Sequence, residues 1–402
     1  MKKNNVNNLN LKIIDLNSLL EGMDLSIFFS IINFLAIYYL KEISYNLSLI
    51  FIICIILISF IIRIFIPPLI KKIIYKIDFF LLQFVLLTFG YGLLLITQNN
   101  FFGIFSILFL FISRISIGIY FALFNSQIFG YFDEKVSIHS NLKHWFLIIM
   151  GILFGFVLVQ ILNDIYSNSA LSSGSWKWVI VILFTLGLIK LFLEKKKKID
   201  FEPFKSFIIN FQYAFDKKFF KIFFQNIILL VPITFLIFYS CSFWLPSSVL
   251  PENKQFSEIL IINIVLVIIS MFSSHFIFEL ISKSKCFLLV LYSGIFLFMF
   301  MSFTSDNFSS YKISLMHFVL SIYSGMSLSL YNFGLFGVKI ESNKYAYTLY
   351  SALLLLTAVF VPIFIYQLIF NSVEYKYIYL FLFFLYSLGL FSYYLFKKEF
   401  RS

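Results

Sequence analysis

The length of the apolar runs constrains this chain more than anything else in it. Twelve runs, at about 23–40, 47–70, 79–98, 101–130, 145–163, 178–193, 222–245, 257–281, 286–304, 313–336, 346–369 and 377–396, each approach the ~20 residues that cross a hydrocarbon core of ~30 Å as a helix. They are too long for barrel strands and lack the two-residue alternation that such strands show. A soluble chain of 402 residues would divide into two or three globular domains, but 61% hydrophobic and 12% charged residues leave too little polar surface for that. The expected fold is all-α, with twelve transmembrane helices.

A net charge of +12 would suit a nucleic-acid partner if it were concentrated on a face or tail. It is instead distributed by loop. Lys71, Lys72 and Lys76, then Lys195, Lys196, Lys197 and Lys198, then Lys283 and Lys285, then Lys397 and Lys398 fall on one side of the predicted spans. The other side holds only Lys41, Lys177, Lys254, Lys312 and Lys376. That asymmetry is the positive-inside pattern, and it places both termini on the cytoplasmic side. The partners expected are a small-molecule substrate and the anionic inner leaflet, with no nucleic acid and a monomeric chain.

The longest polar stretch, 194–221, separates residues 1–193 from residues 222–402 and so divides the chain into two six-span halves. Phe204, Phe207, Ile208, Phe211 and Phe215 recur within it at three- and four-residue intervals, which suits an amphipathic helix on the inner leaflet. Transporters built from two pseudo-symmetric bundles have this layout. The first twenty residues contain no apolar core of the signal-peptide type, so no cleaved leader is expected.

Two arginines lie inside spans, and a guanidinium at bilayer depth costs roughly 2.5–3.5 kcal/mol on insertion scales. Arg63 lies two turns from the inner end of the second span, ahead of Pro67-Pro68, which are expected to stop the helix. It either reaches the inner surface or serves transport. Arg114, halfway along the fourth span, is too deep for that reach and is expected to line a cavity. Glu21 and Asp24 are three apart on one helix face at the start of the first span, where they serve either capping or gating. Tyr120, Asn125 and Gln127 follow Arg114 on the fourth span, and Tyr323 and Asn332 stand in the polar tenth span. Asn125 and Gln127 suit hydrogen bonds across the bundle, while Tyr323 and Asn332 suit either hydrogen bonds to a small polar solute or ordinary helix packing. Gly151 and Gly155 form a packing GxxxG, and His275 and Glu279 have i, i+4 spacing for a structural pair. No acid is expected near the bilayer centre, so the partner foreseen for Arg114 is a substrate carboxylate, with helix carbonyls or Tyr120 holding it in the empty site.

No phosphate-binding loop, paired central acid and base, or metal-ligand spacing occurs, so no enzyme activity and no cofactor are expected. Cys54, Cys241 and Cys286 fall in or beside spans and are read as small apolar side chains.

With these residues in view, the chain resembles the major facilitator superfamily, and within it the metabolite:proton symporter branch that includes proline/betaine transporters. The carrying motifs are Glu21-Gly-Met-Asp24-Leu-Ser-Ile-Phe28, Arg63 with Pro67-Pro68, Arg114-Ile-Ser-Ile-Gly118, Trp176-Lys177-Trp178, and Lys195–Lys198 with Glu202-Pro203-Phe204. The likeness is spread over the first half and faint in the second. The inter-helix loop lacks the family's glycines and Asp-Arg pair, and the fourth helix lacks its glycine pair and following Glu. The resemblance implies a secondary transporter of a bacterial cytoplasmic membrane. Its substrate would be a small polar or zwitterionic metabolite bound between the two halves, with or without a coupled proton. An efflux carrier of the same fold for hydrophobic compounds, and a scaffold without turnover, are the rival expectations.

Overall fold

The computed structural model describes residues 2–40, 43–70, 78–97, 105–135, 138–196, 254–304, 318–330 and 375–395. Among them the backbone is helical apart from short turns and helix ends, with no strand. Helices α1 (Lys2–Ser30) and α2 (Ile32–Tyr39) are followed by α3 (Tyr45–Ile70) and α4 (Phe79–Leu87). A π-helical turn, Thr88–Gly92, joins α4 to α5 (Leu93–Ile96). Next come α6 (Phe105–Lys135), α7 (Ile138–Ile165), the short α8 (Asn168–Ala170) and α9 (Lys177–Lys196). The later described helices are α10 (Lys254–Glu279), α11 (Lys283–Thr304), α12 (Phe318–Leu330) and α13 (Tyr375–Leu395).

Five stretches are long and apolar enough to cross a membrane: Phe79–Ile96, Phe105–Leu123, Leu142–Ile165, Ile261–Glu279 and Lys285–Thr304. Two bent pairs raise the number to seven among the described residues: Leu16–Ser30 with Ile32–Tyr39, bent by 58°, and Asn168–Ser175 with Lys177–Lys195, bent by 48°. Phe51, Phe89, Phe154, Phe192, Phe296, Phe303 and Phe391 are exposed on the described helices, as expected of side chains that face lipid. The chain is a helical, multi-pass membrane protein.

The described helices fall into two compact units, α1 to α9 and α10 to α13. In the first, α1 packs along α7 and α3 along α6. Glycine sets both approaches. A Cβ at Gly22 would strike the Ile148 carbonyl, one at Gly151 the Leu19 carbonyl, and one at Gly118 would come within 2.6 Å of the Ser59 carbonyl oxygen. Backbones this close suit membranes, where packing and hydrogen bonds rather than water expulsion join helices. In the second unit α11 packs along α13, and Gly325 of α12 meets the Val267 and Ser270 turn of α10.

Three sequence expectations are corrected here. The first span begins near Leu16 rather than at residue 23, so Glu21 and Asp24 lie within it. Asn17, Ser18, Glu21 and Asp24 lower the local hydropathy, yet all four are buried, because their polar groups are met inside the protein. The helix also continues through Pro67-Pro68 to Ile70. Proline's fixed φ is helical, and the pair costs only hydrogen bonds near a helix end. Finally, α9 extends to Lys196, so residues 194–196 belong to the helix rather than to the linker. Residues 197–221 lie outside the described part.

Candidate functional site

The first unit buries ion pairs that the apolar sequence hardly advertises. Arg114 projects from the middle of the Phe105–Leu123 span and is 1% exposed. Its Nη1 donates to Asp24 Oδ1 at 3.0 Å and its Nη2 to Asp24 Oδ2 at 2.8 Å, the bidentate fork that guanidinium and carboxylate form best. Asp24 is also 1% exposed, and this pairing sets it at the depth of Arg114, midway through the span. Nη2 reaches the Ser59 hydroxyl at 3.3 Å, and the guanidinium carbon lies 4.0 Å from the centre of the Phe28 ring. Tyr91 donates its hydroxyl to Asp24 Oδ1 at 2.9 Å. The π-helical turn around Gly90 and Gly92 carries Tyr91, and the Gly90 carbonyl accepts from Ser113 Oγ. Extra-residue turns of this kind recur at functional sites because they re-aim side chains.

One turn toward the N-terminus of α1, Glu21 pairs with Arg63 of α3. Arg63 is 2% exposed, and its guanidinium stacks on Phe60 at 4.5 Å and Phe121 at 4.9 Å. A third pair, Lys190 with Glu194 at 2.7 Å on α9, is buried as deeply. Lys190 Nζ also donates to Gln83 Oε1 at 3.2 Å and lies 5.3 Å from the Tyr120 ring centre, and Tyr120 donates to Asn17 Oδ1 at 3.1 Å.

Several sequence assignments change. An acid does lie at mid-span: Asp24 holds Arg114, so the arginine does not wait for a substrate carboxylate as its only counter-ion. Tyr120 serves Asn17 rather than Arg114. Arg63 does not reach for the surface, because a buried carboxylate meets it first. Glu21 and Asp24 do not cap a helix start, since α1 begins at Lys2 and its span near Leu16. Asn125 and Gln127 lie on α6, but their side chains are outside the described part, and Asn332 is outside it altogether. Tyr323 stands in the second unit, where it is buried against Phe298 and Tyr386 at 5.5 and 5.6 Å and donates to the Val290 carbonyl. His275 Nε2 and Glu279 Oε1 are 3.4 Å apart on α10.

The sequence reading missed Tyr91, Ser59, Asn17, Gln83 and Glu194. The signals on offer were the Gly90-Tyr91-Gly92 triplet, glycines bracketing a polar aromatic in a span, and the i, i+4 spacing of Glu194 from Lys190. At the other end of the unit, Lys177 Nζ donates to the Leu95 and Thr97 carbonyls that end α5, while Tyr38 and Trp176 pack edge to face at 5.6 Å. That is a helix-end cap and needs no ligand. Among the described residues no group of His, Cys, Asp and Glu is placed to hold a metal ion.

Neither a protein-family model nor a curated protein sequence matches this chain.

Proposed function

We propose that the chain is a secondary transporter of twelve membrane helices in two six-helix halves, of the major facilitator type. It would carry a small polar or zwitterionic metabolite by alternating access across a bacterial cytoplasmic membrane, with both termini inside. The observation that carries this reading is the buried Asp24–Arg114 pair. A membrane protein that only needed to fold would gain as much from apolar packing there, since a buried ion pair is often no more stabilising than a hydrophobic substitute. Ionisable groups at membrane depth are expensive and mark pathways for ions and solutes.

Charge balance narrows the substrate class. Among the described residues of this unit, the buried cations Arg63, Arg114 and Lys190 are matched by Glu21, Asp24 and Glu194. A zwitterion entering the Asp24–Arg114 pair exchanges partners, its carboxylate taking the guanidinium and its cationic end taking Asp24. The interior charge stays unchanged. A net anion or cation would add a charge with no counterpart in a medium of low dielectric. The unused Nε donor of Arg114 and the Phe28 face beside it suit a carboxylate and an apolar or cationic substituent respectively.

Uptake of labelled proline, betaine and dicarboxylates into proteoliposomes, with and without a pH gradient, tests the reading. Uptake of a zwitterion that is lost in Arg114→Gln, with membrane insertion intact, is the expected result. Uptake at wild-type rate and affinity in that variant makes the pair structural. Movement of hydrophobic compounds alone points to an efflux carrier, and no movement of any solute to a scaffold.

A further inference from the structure

Asp24 accepts three hydrogen bonds in its buried pair. Its Oδ1 takes one from Arg114 Nη1 and one from the Tyr91 hydroxyl, and its Oδ2 takes one from Arg114 Nη2. A carboxylate offers about four such places, so the resting pair leaves little unused. When a solute carboxylate takes the guanidinium, both Arg114 bonds leave Asp24 together, and only the bond from Tyr91 remains. The two hydroxyls in contact with the pair cannot refill the places, because each has spent its one hydrogen. Tyr91 has given its own to Asp24, and Ser59, which accepts from Arg114 Nη2, donates to the Ile56 carbonyl at 2.8 Å. The two vacated places fall to the solute.

Tyr91 is held independently of the guanidinium. It is buried, and the π-helical turn Thr88–Gly92 carries it. The Gly90 carbonyl of that turn accepts from Ser113 Oγ, and Gly90 itself lies close against the Ile117 side chain. Ser113 and Ile117 stand on α6, the helix that also bears Arg114. The phenol therefore keeps its place beside Asp24 when the fork opens, and it fixes how many donors the carboxylate still lacks.

We propose that the Asp24–Arg114 pair selects zwitterions whose cationic end carries at least two N–H bonds, with Tyr91 as the positioning residue that sets this number. The proposal rests on the transport reading of the pair and narrows its substrate class. A primary ammonium has three N–H bonds and the secondary ammonium of proline has two, so either refills both places on Asp24. The quaternary ammonium of betaine brings the same charge but no donor, and leaves both carboxylate oxygens short in a buried setting. A site built to hydrogen-bond an N–H group rejects the analogue that lacks it far more strongly than an apolar pocket rejects an added methyl. The Phe28 ring does not offset this loss. It is one aromatic face, 4.0 Å from the guanidinium carbon, whereas quaternary ammonium groups are held by cages of several rings.

The test titrates the purified full chain in detergent, by calorimetry at neutral pH, with glycine and its N-methyl, N,N-dimethyl and N,N,N-trimethyl derivatives. All four keep one carboxylate and one positive charge while the N–H bonds fall from three to none. The wild type should bind the first two alike and then lose about tenfold in affinity at each further methylation. Valine, an isomer of trimethylglycine with three N–H bonds, should bind like glycine. Tyr91→Phe opens a third place on Asp24, so the loss should begin one step earlier, with N-methylglycine about tenfold weaker than glycine. Trimethylglycine binding as tightly as N-methylglycine overturns the proposal and leaves the transport reading standing. Rejection of valine alongside trimethylglycine overturns it too, since bulk would then be the criterion, and so does an unshifted break in Tyr91→Phe. Where Tyr91→Phe does not fold, the wild-type series and valine decide. Binding of none of the five sinks the transport reading of the pair and the proposal together.

Discussion

Asp24 and Arg114 show how strongly a buried charge depends on its partner. Removing one member leaves the other uncompensated in the interior, at a cost of about 3–5 kcal/mol, whereas removing both leaves a neutral core. Asp24→Asn is therefore expected to lower the melting temperature in detergent markedly. Asp24→Asn combined with Arg114→Gln should recover most of that loss. A double variant less stable than the single would mean that the pair contributes net stability, and the case for a functional pair would weaken. The sequence made Arg114 visible because a guanidinium stands out in an apolar run. It did not reveal the partner, because Asp24 lies ninety positions away among the polar residues that open the first span.

Between elements, glycines decide how close the helices come. Gly151 of α7 lies against the Leu19 carbonyl of α1, whereas a Cβ added at Gly92 would meet the Thr88 Cγ2 at an ordinary 3.5 Å. Gly151→Leu should force α1 from α7 and carry Glu21 and Asp24 off their partners, so monodisperse protein should be lost in size-exclusion chromatography. Gly92→Ala makes only an ordinary contact and replaces the poorer helix former, so its stability should change by no more than ~1 kcal/mol. Equal behaviour of the two variants would show that the α1–α7 approach does not hold the site. The GxxxG spacing of Gly151 and Gly155 was legible in the sequence as a packing face. That the partner is α1, the helix bearing both acids, was not, because spacing on one helix does not specify its neighbour.

For the whole molecule the decisive measurement is topology. α9 runs from Lys177 to Lys196, with the exposed Ser169 ahead of it and the exposed Lys195 in its last turn. Single cysteines at those two positions, with Cys54, Cys241 and Cys286 replaced, should label from opposite sides of the membrane, Lys195 from the cytoplasmic side. Labelling of both from one side would remove α9 as a span.

The sequence by itself determined the solvent and the class of structure. Apolar runs of this length leave the backbone no other way to satisfy its hydrogen bonds in lipid than as helices, and the lysine distribution indicates an orientation. Both are local or additive properties, and so can be read one segment at a time. The tertiary structure alone decided where the charges go. Arg63 meets Glu21, Arg114 meets Asp24, and Tyr120, Asn17, Gln83 and Glu194 gather around Lys190. Apart from Lys190 and Glu194 on α9, those pairings join helices far apart in the chain through short-range contacts. Nothing in the composition or periodicity of one segment records which side chain will face it from another.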